Sequence, residues 1–343
     1  MTHRTSVIIP TRNGAELLAE CLEALRHQTY RDFETIVLDD ASTDDTSEVL
    51  ATYSEAKVVR LPGEEGHGFV AAINAGLAVS HGEVVALLNN DAVPDPDWLG
   101  ALVDGLGRNA WAGMAASKLV LYDRPDTFHS TGDYYGLDGL PNSRGVWQTD
   151  VGQYDQEEEV FGPCAAAAAY RRSVLAEVAK AGGTRPAGRV FDPQLWMYLE
   201  DVDLTLRARL LGHRTVYVPS ARVRHRLSAT GGGVLASYYV GRNTVYVIVK
   251  DLPLRTIVRN LPRMAQAQAR IALEALRNIR GPASRARLRG LIVGLLSWPR
   301  VLGTRRRVMG SKRLTVAEFE RLLQGVSDIE ESTLESVEKP LDS

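Results

Sequence analysis

The stretch Val84–Leu99, VVALLNNDAVPDPDWL, decides the fold. An apolar run from Val84 to Leu88 stops at Asn89, Asn90 and Asp91, and Pro94 and Pro96 follow. A short apolar run bounded by turn-forming residues reads as a strand buried on both faces, as in a parallel sheet. Ligands of such sheets bind outside the carboxyl ends of the strands. Asn89 to Asp91 therefore emerge where a ligand is expected.

The upstream sequence alternates in the same way. SVIIP (Ser6–Pro10) reads as a strand, and AELLAECLEALRHQ (Ala15–Gln28) places Leu17, Leu18, Cys21, Leu22 and Leu25 on one helical face. FETIVLDDAST is a second strand running into acids. DDTSEVLATYS is a helix with Asp44 or Asp45 as cap, and AKVVRLP is a third strand. GFVAAINAGLAVSHG reads as a helix that Gly82 ends. Strand–helix alternation of this kind predicts an α/β fold: a mostly parallel, doubly wound sheet with helices on both faces. The segment Lys118–Glu159 is rich in Gly, Asp and Tyr and predicts long loops or a small antiparallel excursion lining an acceptor site. Order resumes at FGPCAAAAAYRRSVLAEV. In FDPQLWMYLEDVDLTLRARLLGHRTVYVP a helix begins at Asp201 or its neighbour, Gly212 closes it, and TVYVP is a strand.

From about Ser237 the pattern is helical and basic. Between Lys250 and Arg313 stand 16 Lys and Arg against Asp251 and Glu274 alone, a balance of +14 in a chain of net charge −2. A basic region on an acidic body points to a polyanionic surface. Arginine interleaved with Ile271, Leu273, Leu276 and Ile279 suits a helix lying at an anionic membrane surface. Nucleic acid is the less favoured partner, because no aromatic stacking platform accompanies the arginines. A face packed on a partner subunit is the third reading, and oligomeric state is left open. The longest apolar candidate, GLIVGLLSWP from Gly290, is about half of what a bilayer needs. Cys21 and Cys164 give neither a disulfide framework nor metal-finger spacing, and MTHRTSVIIP enters a strand at once. A cytoplasmic protein, peripheral at the inner face of the plasma membrane, is expected. The division expected is 1–236 for a catalytic domain (nucleotide half 1–117, acceptor half 118–236), 237–313 for the basic helices, and 314–343 for a last helix and the acidic tail DIEESTLESVEKPLDS.

Three acidic positions follow apolar runs: Asp39–Asp40, Asp91 and Glu200–Asp201. Any one of them could be a helix cap or turn residue. Together, a parallel sheet would gather them on one rim. Such a rim tolerates a diphosphate only with a divalent cation between the charges, and Mg2+ or Mn2+ takes oxygen ligands from both.

These residues carry a resemblance. SVIIPTRNGAELLAECLEALRHQTYRDFETIVLDDASTDDT resembles the opening of family-2 inverting glycosyltransferases of the GT-A fold, and GFVAAINAGLAVSHGEVVALLNNDAVPDPDWL looks like the region of their Asp-x-Asp element. FDPQLWMYLEDVDLTLRARLLGHRTVYVPSARVRHRLSATGG is similar to their acceptor-side Glu-Asp region and later His. The likeness is greatest to the rhamnosyltransferase branch, which builds cell-envelope polysaccharide. The resemblance implies that Pro10, Thr11 and Asn13 line a nucleotide pocket and that Asp40 accepts from a pyrimidine N–H, with Asp39 and Ser42 shaping the turn. It implies Asp91 as a metal ligand, with His225 a second candidate, or else a packing residue. Asn89 stands where the family has its first acid, and with Asn90 and Asn74 it is placed on the donor side. Asp201 would be the catalytic base, with Glu200 contacting acceptor or donor sugar and Asp203 structural. The expected activity is inverting transfer from a pyrimidine nucleotide-sugar donor, dTDP-rhamnose or a UDP-sugar, to a glycan or lipid-linked acceptor. Two competing readings are an inactive sugar-nucleotide-binding or scaffolding protein of the same fold and a sugar-phosphate nucleotidyltransferase. The latter would need a Gly-rich basic loop, which IIPTRNGAE is not.

Overall fold

The computed structural model describes residues 4–182, 189–227 and 233–324. Strands β1 (Thr5–Thr11), β2 (Phe33–Asp39), β3 (Lys57–Arg60) and β4 (Val84–Leu88) lie in parallel, with β1 between β4 and β2 and β3 outside β2. Helices α1 (Ala15–Arg26), α2 (Thr46–Thr52) and α3 (Phe69–Val79) make the crossovers. Alternation along β1 and β2 sends Ile9 and Val37 to one face, where Leu18, Cys21 and Leu25 of α1 cover them. Ile8, Ile36 and Leu38 face the other way, under Val70 and Ile73 of α3. Helices thus cover both faces of a sheet with no exposed side, and the central strands read as unbroken apolar runs.

The helix expected to end at Gly82 stops earlier, with α3 closing at Val79 and Ser80. Gly82 serves a different purpose. A Cβ there would stand 2.5 Å from the Ser6 nitrogen, so only glycine lets the chain pass against β1.

After β5 (Ala92–Pro94) and α4 (Trp98–Arg108), the chain forms β6 (Ala112–Leu121). The Lys118–Glu159 segment then yields the short strands β7 (Phe128–Ser130), β8 (Asp133–Tyr135), β9 (Pro141–Ser143) and β10 (Glu158–Val160). All four pair antiparallel, as the excursion expected there requires. β11 (Ala167–Arg171) runs antiparallel between β4 and β6 and leads into α5 (Arg172–Gly182). After α6 (Glu200–Leu210), β12 (Arg214–His225) lies parallel to β6. The order is β10-β12-β6-β11-β4-β1-β2-β3, a mixed and mostly parallel sheet.

The rest is helical: α7 (Gly233–Asp251), α8 (Leu254–Arg277), α9 (Pro282–Ser297), a 3-10 turn (Trp298–Val301), α10 (Leu302–Ser311) and α11 (Val316–Gln324). Residue 236 falls inside α7, and the core continues across it. Tyr246 and Val301 join the α3 face of the sheet, while Val247, Leu252, Met264 and Phe319 pack with Leu206 and Leu210 of α6. The acidic tail beyond residue 324 lies outside the described residues. Among the described residues no helix is long and apolar enough to cross a membrane.

Candidate active site

The tips of β1, β2 and β4 meet in one crevice. Pro10 and Thr11 end β1, both buried, and the Asn90 amide donates to Thr11 Oγ1 at 3.0 Å. Asn13, in the left-handed region at φ 49°, stitches this loop to the next: its backbone N–H donates to Ser42 Oγ, and its Oδ1 accepts from the Thr43 N–H at 2.7 Å. Asp39 accepts from the Ser42 N–H and so shapes the turn. Asp40 is 5% exposed and accepts three hydrogen bonds: from the backbone N–H groups of His67 (2.8 Å) and Gly68 (2.9 Å), and in the fitting tautomer from His67 Nδ1. An ionised carboxylate has about four lone-pair sites. One acceptor site is therefore left for a ligand donor.

At the β4 tip, Asp91 Oδ1 faces His225 Nε2 at 3.1 Å, and both side chains are buried. His225 ends β12, whose last three residues pair with β5 just after Asp91. Its other nitrogen, Nδ1, lies 3.0 Å from Nδ1 of His129, with the rings stacked 4.9 Å apart. Burial, then the neighbouring His225 charge, drives His129 down to about 3. At its other nitrogen, His225 Nε2 faces the Asp91 carboxylate oxygen across 3.1 Å. Two lone-pair bearers so placed need a proton or a cation between them. Their spacing also suits neighbouring ligands of one octahedral ion, which stand about 3 Å apart at bond lengths of about 2.1 Å. The His129 contact is the outer-shell partner that metal-binding histidines use. Asn89, beside them, leaves Oδ1 buried with no partner among the described residues.

A second group of acids gathers at the start of α6. The apolar run before Glu200 is a turn rather than a strand. Residues Leu195–Leu199 form an irregular loop, with Trp196, Tyr198 and Leu199 at φ 64–65°, and α6 starts at Glu200 with no side-chain cap. Each left-handed residue that is not glycine costs about 1–2 kcal/mol, so this loop is held in place by its surroundings. Asp201 accepts from the N–H groups of Ala165 (3.2 Å) and Val202 (2.8 Å). Asp133, on β8, is pinned by paired backbone bonds to Gly162, and its Oδ1 accepts from Ser130 and Ser143. Asp133, Cys164 and Asp201 bring ligand atoms within 4.8 Å of one another, the one such group of possible metal-holding side chains among the described residues. Burial, then the Asp201 charge, raises Asp133 to about 7. Burial and then Asp201 raise Glu200 well above the carboxylate range, and burial raises Asp201. Glu200 Oε2 and the Tyr170 hydroxyl are buried with no partner among the described residues. Tyr198 joins the two groups: after burial, Glu200 and then Asp91 raise its hydroxyl.

The structure therefore gathers Pro10, Thr11, Asn13, Asp40, Asn90 and Asp91 at one rim, sets His225 on Asp91, and ties Asp201 to the β4 tip through Ala165, whose N–H donates to Asp201, and Ala166, whose C=O accepts from the Asn89 N–H at 2.9 Å. Asn74 is used elsewhere, its amide bonding both the N–H and the C=O of Phe191. Asp203 sits in a buried cluster with Arg207, Lys250 and Asp192. Burial opposes its charge, yet Arg207 and Lys250 hold it down to about 2. His67, His129, Asp133, Cys164 and Tyr170 were missed in the sequence. Of these, His129 and Asp133 lie inside the Lys118–Glu159 segment expected at the acceptor.

Residues 6–179 match the model of the family described as Glycosyl transferase family 2. The glucosyl-dolichyl phosphate glucuronosyltransferase of Haloferax volcanii is 27% identical over 231 residues, 65% of this chain and 69% of that protein. Among solved structures, S. aureus TarS 1-349 in complex with UDP aligns over 96% of this chain and 92% of its own, with TM-score 0.53 and 19% identity. GalNAc-T7 with UDP, GalNAc and Mn2+ aligns over 73% and 48%, with TM-score 0.56 and 17% identity. The chain spans 25% to 48% of the length of the first three curated relatives it matches.

Proposed function

The chain belongs to glycosyl transferase family 2 and has the GT-A fold, and from this site we propose that it moves a sugar, with inversion, from a pyrimidine nucleotide diphosphate to a hydroxyl acceptor. One observation supports the reading: consecutive residues Ala165 and Ala166 bond Asp201 and the Asn89 N–H, which sets the proposed base beside the β4 tip that carries Asp91. Asp40, with one acceptor site left, receives an imide N–H, as uracil or thymine offers; Pro10, Thr11 and Asn13 shape the pocket around it. Asp91 and His225 would hold Mn2+ or Mg2+, and the ion would supply charge neutralisation for the diphosphate leaving group. Asp201 is the general base. It takes the acceptor proton as the hydroxyl attacks opposite the nucleotide, and one carboxylate suffices because no covalent intermediate forms. The unpartnered Glu200 Oε2 receives a sugar hydroxyl.

The UDP and Mn2+ in the solved relatives support a UDP-type donor and this metal choice. A dTDP-rhamnose or UDP-sugar donor and a glycan or lipid-linked acceptor of the cell envelope complete the reading. Placement at the inner face of the plasma membrane goes with it. On α8 the exposed Leu254, Val258, Leu261 and Leu276 fall on one face at helical spacing, beside Arg255, Arg259, Arg263 and Arg277. An apolar stripe bordered by cations fits an anionic bilayer surface. Titration with UDP and dTDP, with and without Mn2+, tests the core of the proposal; metal-dependent binding is expected, and no binding of either nucleotide overturns it. Flotation with neutral and anionic liposomes tests the surface, and binding to neither removes it.

A further inference from the structure

The irregular loop that delivers Glu200 and Asp201 is clasped from two sides. On the donor side, the Trp196 C=O accepts from the Val70 N–H at 3.0 Å, and the Trp196 ring lies where a Cβ on Gly68 would come within 2.5 Å of it. On the other side stands α7, from the basic helical region. Asn243 is fully buried, and its Nδ2 lies within bonding distance of three carbonyls: Leu195 (3.0 Å), Met197 (2.9 Å) and Tyr198 (2.7 Å). Arg242 donates to the carbonyls of Gln194 and Leu195, both at 2.8 Å, and to Asn243 Oδ1, which orients the amide. Seven residues on, and so on the same helical face, Lys250 donates to Asp192 at 2.7 Å and pairs with Asp203 of α6.

We propose that Asn243 is a positioning residue for transfer: by holding the Leu195, Met197 and Tyr198 carbonyls it fixes the left-handed turn from which Glu200 and Asp201 project. The carbonyls of this turn have no ladder partners: that of Leu195 accepts from the Met197 N–H as well as from Arg242 and Asn243, and those of Met197 and Tyr198 are bonded by Asn243. Three carbonyls in four residues converge on one amide because the turn is left-handed at Trp196, Tyr198 and Leu199. Remove the donor and the Met197 and Tyr198 carbonyls lose the amide that draws them together, while Val70 and Arg242 still bond Trp196, Gln194 and Leu195. The consequence is that α7, although distant in sequence from both nucleotide and base, is part of the catalytic unit, and the loop it holds also abuts the Asp40 loop at Gly68.

This inference rests on Asp201 as the base, and its test separates the two. Asn243→Leu in the full chain keeps the volume and removes the donors. Backbone hydrogen exchange followed by mass spectrometry should quicken tenfold or more in peptides covering 195–204, while peptides of β1 stay unchanged. UDP binding with Mn2+ should stay within threefold. With whichever UDP- or dTDP-sugar the parent hydrolyses or transfers, kcat should fall at least thirtyfold and the donor KM change less than threefold. Unchanged exchange in 195–204, or turnover lost only in proportion to the unfolded fraction, overturns the proposal. If the parent turns over no nucleotide sugar, the transferase reading fails, and the exchange result still judges the clasp. If Asn243→Leu does not fold, Arg242→Met, which frees the Gln194 and Leu195 carbonyls, gives the same readouts, and again unchanged exchange overturns it.

Discussion

Asp40 and Glu200 are buried to nearly the same degree, 5% and 7% exposed, yet their surroundings are opposite. Asp40 is met by two backbone N–H groups and a histidine ring. Glu200 has an oxygen with no partner among the described residues, lies beside Asp201, and is pushed well above the carboxylate range by burial and then by that neighbour. The donor rim is thus a finished electrostatic structure, built to hold a ligand that arrives charged. The acid pocket is unfinished: Glu200, Asp201 and Asp133 crowd together with few donors, a state that favours proton uptake. A pocket that attracts protons suits the step in which an acceptor hydroxyl loses one.

The comparison breaks first at Asp201. Asp201→Asn keeps one of the two bonds, since Ala165 and Val202 donate to different oxygens, and removes the proposed base. Turnover should fall by about 10²–10⁴, the range for a general base, while UDP affinity stays within a few fold; near-normal turnover by a folded variant would end this assignment. Asp91→Ala comes next. Parent UDP affinity should rise with Mn2+ over EDTA, and the variant should lose that difference together with about 10–100-fold in metal affinity, the scale for disturbed metal sites. A variant whose UDP binding still responds to Mn2+ would move the ion elsewhere, with the Asp133–Cys164–Asp201 group the first place to look. Asp40→Ala removes charged hydrogen bonds to the His67–Gly68 loop, each of about 1.5–3 kcal/mol. Nucleotide affinity should drop by about 10–100-fold, read by calorimetry, with the pH dependence of turnover unaltered.

The donor rim was legible because it is local. Each acid or amide directly follows its own apolar run, and parallel strands bring their tips together without further information. Asp40 after Leu38 and Asp91 after Leu88 needed only the strand boundaries. The acid pocket is not local. Its wall strand β11 is an alanine run of high helix propensity, made extended by its place between β4 and β6. The run LWMYL has the composition of a strand, and tertiary bonds from Asn243 and Arg242 turn it into a left-handed loop. Asp133 reaches Asp201 only through backbone pairing with Gly162. His129 meets His225 from 96 residues away. No periodicity signals such encounters.

The smallest expected effect sharpens the comparison most directly, because it requires no substrate. Asp133 stands at about 7, against an ordinary 3.8, from burial and then from the Asp201 charge. Folded chains therefore bind more protons at this residue than unfolded ones between those values. Stability contributed by the protonated form is complete below about pH 3.8, declines as pH rises towards 7, and levels off above it. Asn keeps an oxygen for Ser130 and Ser143 and cannot ionise. Asp133→Asn should therefore lack that decline, gaining about 1–2 kcal/mol on the parent from pH 4 to pH 8. Urea unfolding across this range measures the difference. Asp40→Asn, by contrast, turns an amide NH2 toward one of the His67 and Gly68 N–H groups, which donate to different oxygens, and should lose stability. If Asp133→Asn declined with pH as the parent does, the proton-seeking pocket would be lost.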